Sequence, residues 1–95
     1  MIERYFVQNE GFVEQSVAGE LILVPLVDSV AQMNEVVTLN ELGTFIYNLL
    51  KENRSFSEIL SEIVKEYDVS EIDARKDLNN FLSSALEKKI IFEKD

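Results

Sequence analysis

The 95-residue chain has no cysteine, no histidine and no tryptophan, one proline and three glycines. Without Cys or His it offers no thiolate nucleophile, no imidazole base, no Ser-His-Asp triad and no Cys/His zinc site. Carboxylates alone can hold calcium or magnesium, but the loop spacing D-x-[DN]-x-[DN]-G-x5-E is absent. We therefore expect no metal, no cofactor and no catalytic residue in this chain. The lack of cysteine also rules out a disulfide framework, which agrees with a reducing compartment. Residues Met1 to Val7 lack a basic segment leading into an apolar core, and nowhere do about 18 apolar residues run together. The chain reads as cytoplasmic, with no membrane partner.

Positive charge is scarce as well. Nine Lys and Arg stand against 18 Asp and Glu, giving a net charge of -9 and a pI near 4.4. That is the wrong sign for a surface that must neutralise phosphates, so nucleic acid is an unexpected partner. The apolar fraction is nonetheless 46%, too high for a disordered chain. One core exhausts a chain of this length, and residues 1–95 read as a single domain.

No repeat, linker or low-complexity tract interrupts the chain, but the patterning changes near Asn40 from strand-like to helix-like. Phe12 to Val17 reads as a strand, and Gly19 supplies a turn residue that tolerates positive φ. The continuous run Leu21-Ile22-Leu23-Val24 suits a strand covered on both faces, ended by Pro25. Glu35-Val36-Val37-Thr38-Leu39 has the β-branched content of a third strand. Residues Ile2 to Val7 and Ile90 to Phe92 offer short additional strands. Leu42, Phe45, Ile46, Leu49 and Leu50 fall on one stripe of a helix opened by Asn40. Ser55 and Glu58 form a capping box ahead of a second stripe, Phe56, Ile59, Leu60, Ile63, Val64 and Tyr67. Ser70 opens a third helix with Ala74, Leu78, Phe81, Leu82, Ala85 and Leu86 on one face, and Lys88 and Lys89 are expected in its last turn. The fold class is thus α+β and winged helix-turn-helix-like, a three-stranded antiparallel sheet followed by three helices.

Three segments in this order carry a more specific signal: Gly19 to Pro25, Leu39-Asn40-Glu41-Leu42-Gly43-Thr44-Phe45-Ile46-Tyr47-Asn48-Leu49-Leu50, and Tyr67-Asp68-Val69 followed by Ala74 through Leu82. Together they resemble the PqqD family, the small proteins related to coenzyme PQQ synthesis protein D. Tyr47 stands where that family often has Trp, and Lys88-Lys89 where a Lys-Gly pair is common. The resemblance implies a RiPP recognition element: a non-catalytic adaptor that holds the leader of a ribosomally made precursor peptide and presents it to a modifying enzyme, often a radical SAM protein. It also implies the mode, in which the leader adds as a strand to the third strand of the sheet, beside the third helix. A PQQ product does not follow, because the resemblance spans many peptide products.

Carried onto this chain, the peptide-binding residues are Glu35, Val36, Val37, Thr38 and Leu39 on the strand and Asp77, Phe81 and Ser84 on one shoulder of the helix. Strand addition uses main-chain hydrogen bonds, so it needs no catalytic side chain. Replacing Val37 with Pro is expected to abolish binding while sparing the core. Periodicity leaves open whether this shoulder or the opposite one, Arg75 and Asn79, faces the groove, and the first is favoured because Asp77 and Phe81 match the family motif. Asn40 is read as a helix cap and Gly43 as a close-packing point, without binding roles. The alternative is a winged-helix DNA-binding regulator that uses the third helix for base readout. From Ser70 to Lys89 that helix sums to zero charge on a domain of -9, which disfavours the regulator. An exposed edge also leaves pairing into a homodimer open.

Overall fold

A computed structural model describes residues 3–26 and 36–94. The described elements are β1 (Tyr5–Gln8), β2 (Phe12–Val17), β3 (Glu20–Pro25), β4 (Val37–Leu39), α1 (Glu41–Leu49), β5 (Arg54–Ser55), α2 (Phe56–Glu66), α3 (Glu71–Glu87) and β6 (Ile91–Lys94). The α+β order holds, with the sheet β2-β3-β4 preceding three helices. A second three-stranded antiparallel sheet, β5-β1-β6, joins the two ends of the chain.

Local sequence explains most element boundaries. The β2-β3 hairpin turns at Ala18 (φ 53) and Gly19 (φ 85), the pair of positive φ values that a two-residue hairpin matched to strand twist requires. Asn40 caps α1 by accepting from the Gly43 amide at 2.8 Å. Ser55 and Glu58 form the reciprocal box at the head of α2, and Ser70 accepts from the Asp73 amide at the head of α3. Each cap satisfies amides that the helix itself leaves without partners.

The end of α3 differs from the expectation. Lys88 and Lys89 are not in its last turn: the helix stops at Glu87, Lys88 is the C-cap, and Lys89 enters the left-handed region with φ 61. Ile90 N–H donates to the Ala85 carbonyl and Lys89 N–H to that of Leu86, both at 3.1 Å, the paired bonds of a Schellman turn. Ile90 and Ala85, both buried, provide its apolar contact.

The end of α1 is capped from a distance instead. Gln8 donates through its side-chain amide to the Tyr47 carbonyl (2.7 Å) and through its main-chain N–H to that of Leu50 (2.8 Å), while Arg54 Nε reaches the Leu49 carbonyl (2.8 Å). No glycine marks this terminus, so the second sheet supplies the partners its carbonyls need.

The core gathers Phe6 from β1, Leu23 from β3, Ile46, Tyr47 and Leu50 from α1 and its end, Ile59 and Ile63 from α2, Leu78 and Leu82 from α3, and Ile90 and Ile91 beyond it. Full burial of side chains of this size contributes roughly 1.5–3 kcal/mol each. The run Leu21 to Val24 is not covered on both faces: Leu21 and Leu23 are buried, whereas Ile22 and Val24 are half-buried. Its outer face pairs Ile22 with Gln15 and Thr38, and Val24 with the half-exposed Val13. The helices cover one side of this sheet, so period-two burial replaces the continuous burial that the apolar run suggested.

Candidate functional site

β4 lies at one edge of its sheet. It pairs with β3 through Leu21↔Leu39, Ile22↔Thr38 and Leu23↔Val37, and no strand pairs with its other side among the described residues. Successive residues of a strand turn their N–H and C=O groups alternately to its two sides, so part of the β4 main chain serves β3 and the rest faces outward, with no strand partner among the described residues.

Across from that edge runs α3. Between them lies a groove of about 450 Å³, with Val37, Thr38 and Leu39 along one wall and Asp77, Phe81 and Ser84 along the other. Its base and ends are completed by Asn40, Leu42, Gly43, Asn80, Ala85, Lys88 and Ile90. Polar and apolar atoms line it together, as suits a peptide main chain with alternating side chains.

The structure therefore brings together six of the eight residues singled out on the sequence. Val36 is described but precedes the strand, is exposed, and does not line the groove. Glu35 lies outside the described residues. The ladder ends at Leu23↔Val37, two residues short of Pro25, whose ring nitrogen has no hydrogen to donate. Val37 and Leu39 direct their side chains into the core at 7% and 8% exposure, while Thr38 between them is exposed. Proline at Val37 would thus disturb the core, contrary to the expectation that it would spare it.

The other shoulder of α3 has different neighbours. Arg75 donates to Glu71 at 3.0 Å and lies 5.7 Å from the centre of the Phe56 ring, beside a second hollow between α2 and α3. Asn79 is exposed and lines neither. Asn80, Leu42 and Lys88 line the groove without having been singled out. A helical-wheel reading reaches Lys88, which is eleven residues from Asp77, but the expected last turn had set it aside as a dipole partner.

Asn40 and Gly43 also belong to the groove lining, each with a local task. Asn40 Oδ1 is bonded to the Gly43 amide, and the Phe81 ring packs over Gly43 so closely that a Cβ there would stand 3.2 Å from ring atom Cε1. Phe81 is at once packed against the core and exposed in part to the groove.

Among the described residues no group of acidic side chains is arranged to hold a metal ion, and no helix is long and apolar enough to cross a membrane. Among the described residues that line the groove, Asp77 is the one acidic side chain.

Two solved structures with this architecture are complexes with leader peptides. The structure of TbiB1 in complex with the TbiA(beta) leader peptide superposes with a TM-score of 0.74 over 90% of this chain and 93% of that one, at 26% identity. Lasso peptide synthetase B1 complexed with the leader peptide superposes at 0.73 over 92% of this chain and 96% of that one; at 18% identity it shows the fold alone. Comparison with curated proteins returns no match. The model of the family described as coenzyme PQQ synthesis protein D matches residues 20–91, the span that holds β3, β4, all three helices and both walls of the groove. On that match the chain belongs to the PqqD family.

Proposed function

We propose that residues 1–95 act as one non-catalytic, cytoplasmic adaptor domain. It binds the leader of a ribosomally synthesised precursor peptide as an added strand on β4 and presents the rest of the precursor to a modifying enzyme. The observation that carries this reading is the free edge of β4 facing α3 across one groove. An incoming strand finds on one side a β4 edge with no strand partner among the described residues, and Asp77, Phe81 and Ser84 on the other. The likeness to TbiB1, solved with a leader peptide, supports the same class of ligand. The partner enzyme is proposed to be a radical SAM protein, by family resemblance. The regulator alternative draws no support from the groove, where the C-cap Lys88 is the one cation among the described residues.

The test is an NMR titration of the chain with the leader of the precursor peptide encoded beside it. We expect shifts in the amides of Val37, Thr38 and Leu39 and of the groove face of α3, and slower exchange of the β4 amides that face the free edge. Saturating leader that leaves these amides unshifted would sink strand addition. A salt-dependent gel shift on duplex DNA would restore the regulator.

A further inference from the structure

The groove wall formed by α3 has a polarity. Asp77, Phe81, Ser84 and Lys88 are spaced by four, three and four residues, which keeps them within about 60° of one another around the helix axis. The wall therefore reads, in order, anion, aromatic ring, hydroxyl, cation. Asp77 and Lys88 are both exposed, and neither is in an ion pair among the described residues. The cations and anions that do pair in the structure, Arg75 with Glu71 and Lys51 with Glu14 among them, lie outside the groove lining.

We infer that the groove selects leaders by charge register, a statement that rests on strand addition at β4. The bound segment has a basic side chain opposite Asp77 and an acidic one opposite Lys88, with an apolar side chain at Phe81 between them. Eleven residues of helix separate the two charges by about 16 Å along the axis. An extended strand rises about 3.3 Å per residue and returns a side chain to the same face every second residue. The leader's two charges are thus four or six residues apart, and the four-carbon stem of Lys88 absorbs the difference. Because Asp77 and Lys88 are both exposed, the pairs set direction and register more than total affinity.

The test is selection of a random twelve-residue peptide library, displayed on phage, against the wild-type chain, Asp77→Lys and Lys88→Glu. Both substitutions are at exposed positions, and circular dichroism melts verify that each variant folds. Wild type is expected to enrich peptides with a basic and an acidic residue at the stated spacing. Lys88→Glu should exchange the acidic residue for a basic one and leave the other end unchanged, and Asp77→Lys should do the converse. A synthetic wild-type-selected peptide should bind Lys88→Glu weaker by roughly three- to tenfold, the range for reversing one exposed pair. Peptides that shift Thr38 and Phe81 resonances yet show the same charge pattern in all three pools overturn the register alone. Pools with no peptide that shifts those resonances overturn strand addition, and the register with it.

Discussion

The ring of Phe81 rests against the α-carbon of Gly43: a Cβ built at position 43 would stand 3.2 Å from ring atom Cε1, 3.4 Å from Cδ1 and 3.2 Å from Oδ1 of Asn40. Gly43 lies within the helical region of α1, so its role here is space and not an unusual φ. Overpacking costs about 2 kcal/mol, while Gly to Ala in a helix interior returns about 1 kcal/mol. Gly43→Ala is therefore expected to destabilise by about 1 kcal/mol and to weaken leader binding by moving the ring. In a Phe81→Ala background most of the crowding is gone, and the same substitution should become neutral or stabilising. Urea melts of the four proteins measure this coupling; equal effects in both backgrounds would refute it.

Lys89 occupies, at φ 61, the left-handed position of the turn that ends α3. Its carbonyl accepts from the Asn9 side chain at 2.8 Å, a bond of the main chain that any residue retains. Lys89→Gly removes the steric cost of a Cβ there and is expected to stabilise by about 1 kcal/mol, raising Tm by a few degrees. An unchanged or lower Tm would show that the turn is not strained.

Tyr47 is 1% exposed. Burial, and secondarily the charge of Glu14, push its phenol from 10.0 up to about 12. The unfolded chain gives up this proton near pH 10, whereas the folded protein holds it to about 12. The contribution is fully present below pH 10, falls as pH rises between the two values, and is level above them. Tyr47→Phe should lessen the alkaline loss of stability by about 1 kcal/mol at about pH 11. Denaturant midpoints near neutral pH and at about pH 11 report it, and parallel losses in both proteins would contradict the assignment.

Arg4 donates through Nε and one terminal nitrogen to the two carboxylate oxygens of Glu93, each at 2.8 Å. Those hydrogen bonds, with the guanidinium charge, hold the Glu93 carboxyl below its ordinary value of 4.5. A lowered value in the folded state means that the pair stabilises above the usual glutamate range and stops doing so as pH falls through the folded value. Both side chains are more than a third exposed, so the energy is small, but the titration is specific. Carboxyl NMR should place Glu93 below 4.5, and Arg4→Gln should raise it. No change on removing Arg4 would assign the shift elsewhere.

Much of this molecule is legible in its sequence. Asn40, Ser55 and Ser70 cap helices because short polar side chains reach the amides two or three residues ahead, a relation within one turn of chain. Gly19 marks the hairpin, and the apolar stripes of α1, α2 and α3 follow from a 3.6-residue period. The two-residue β5 was not legible, since Arg54 and Ser55 have no strand pattern and pair only because Tyr5 and Phe6 lie beside them. Nor was the capping of α1 by Gln8 and Arg54, or the closing of Lys89 into a left-handed turn. For the groove, the residue types of both walls were on the page, but Lys88 joined it only when the end of α3 was placed, and Asn80 only when that helix was set across from β4.

What the chain alone determined is local: which segments form helices, where they start, and that no thiol or imidazole chemistry is available. Those outcomes depend on residues a few positions apart, whose separation hardly varies before folding. The tertiary structure decided that β4 has one edge without a strand partner among the described residues, that α3 and its C-cap turn Asp77, Phe81, Ser84 and Lys88 toward it, and that Ile22 and Val24 are only half-buried. Each depends on the relative placement of elements some forty residues apart, which is set by the packing of the shared core around Leu23, Ile46, Leu78 and Ile91 and not by any one segment's own preferences.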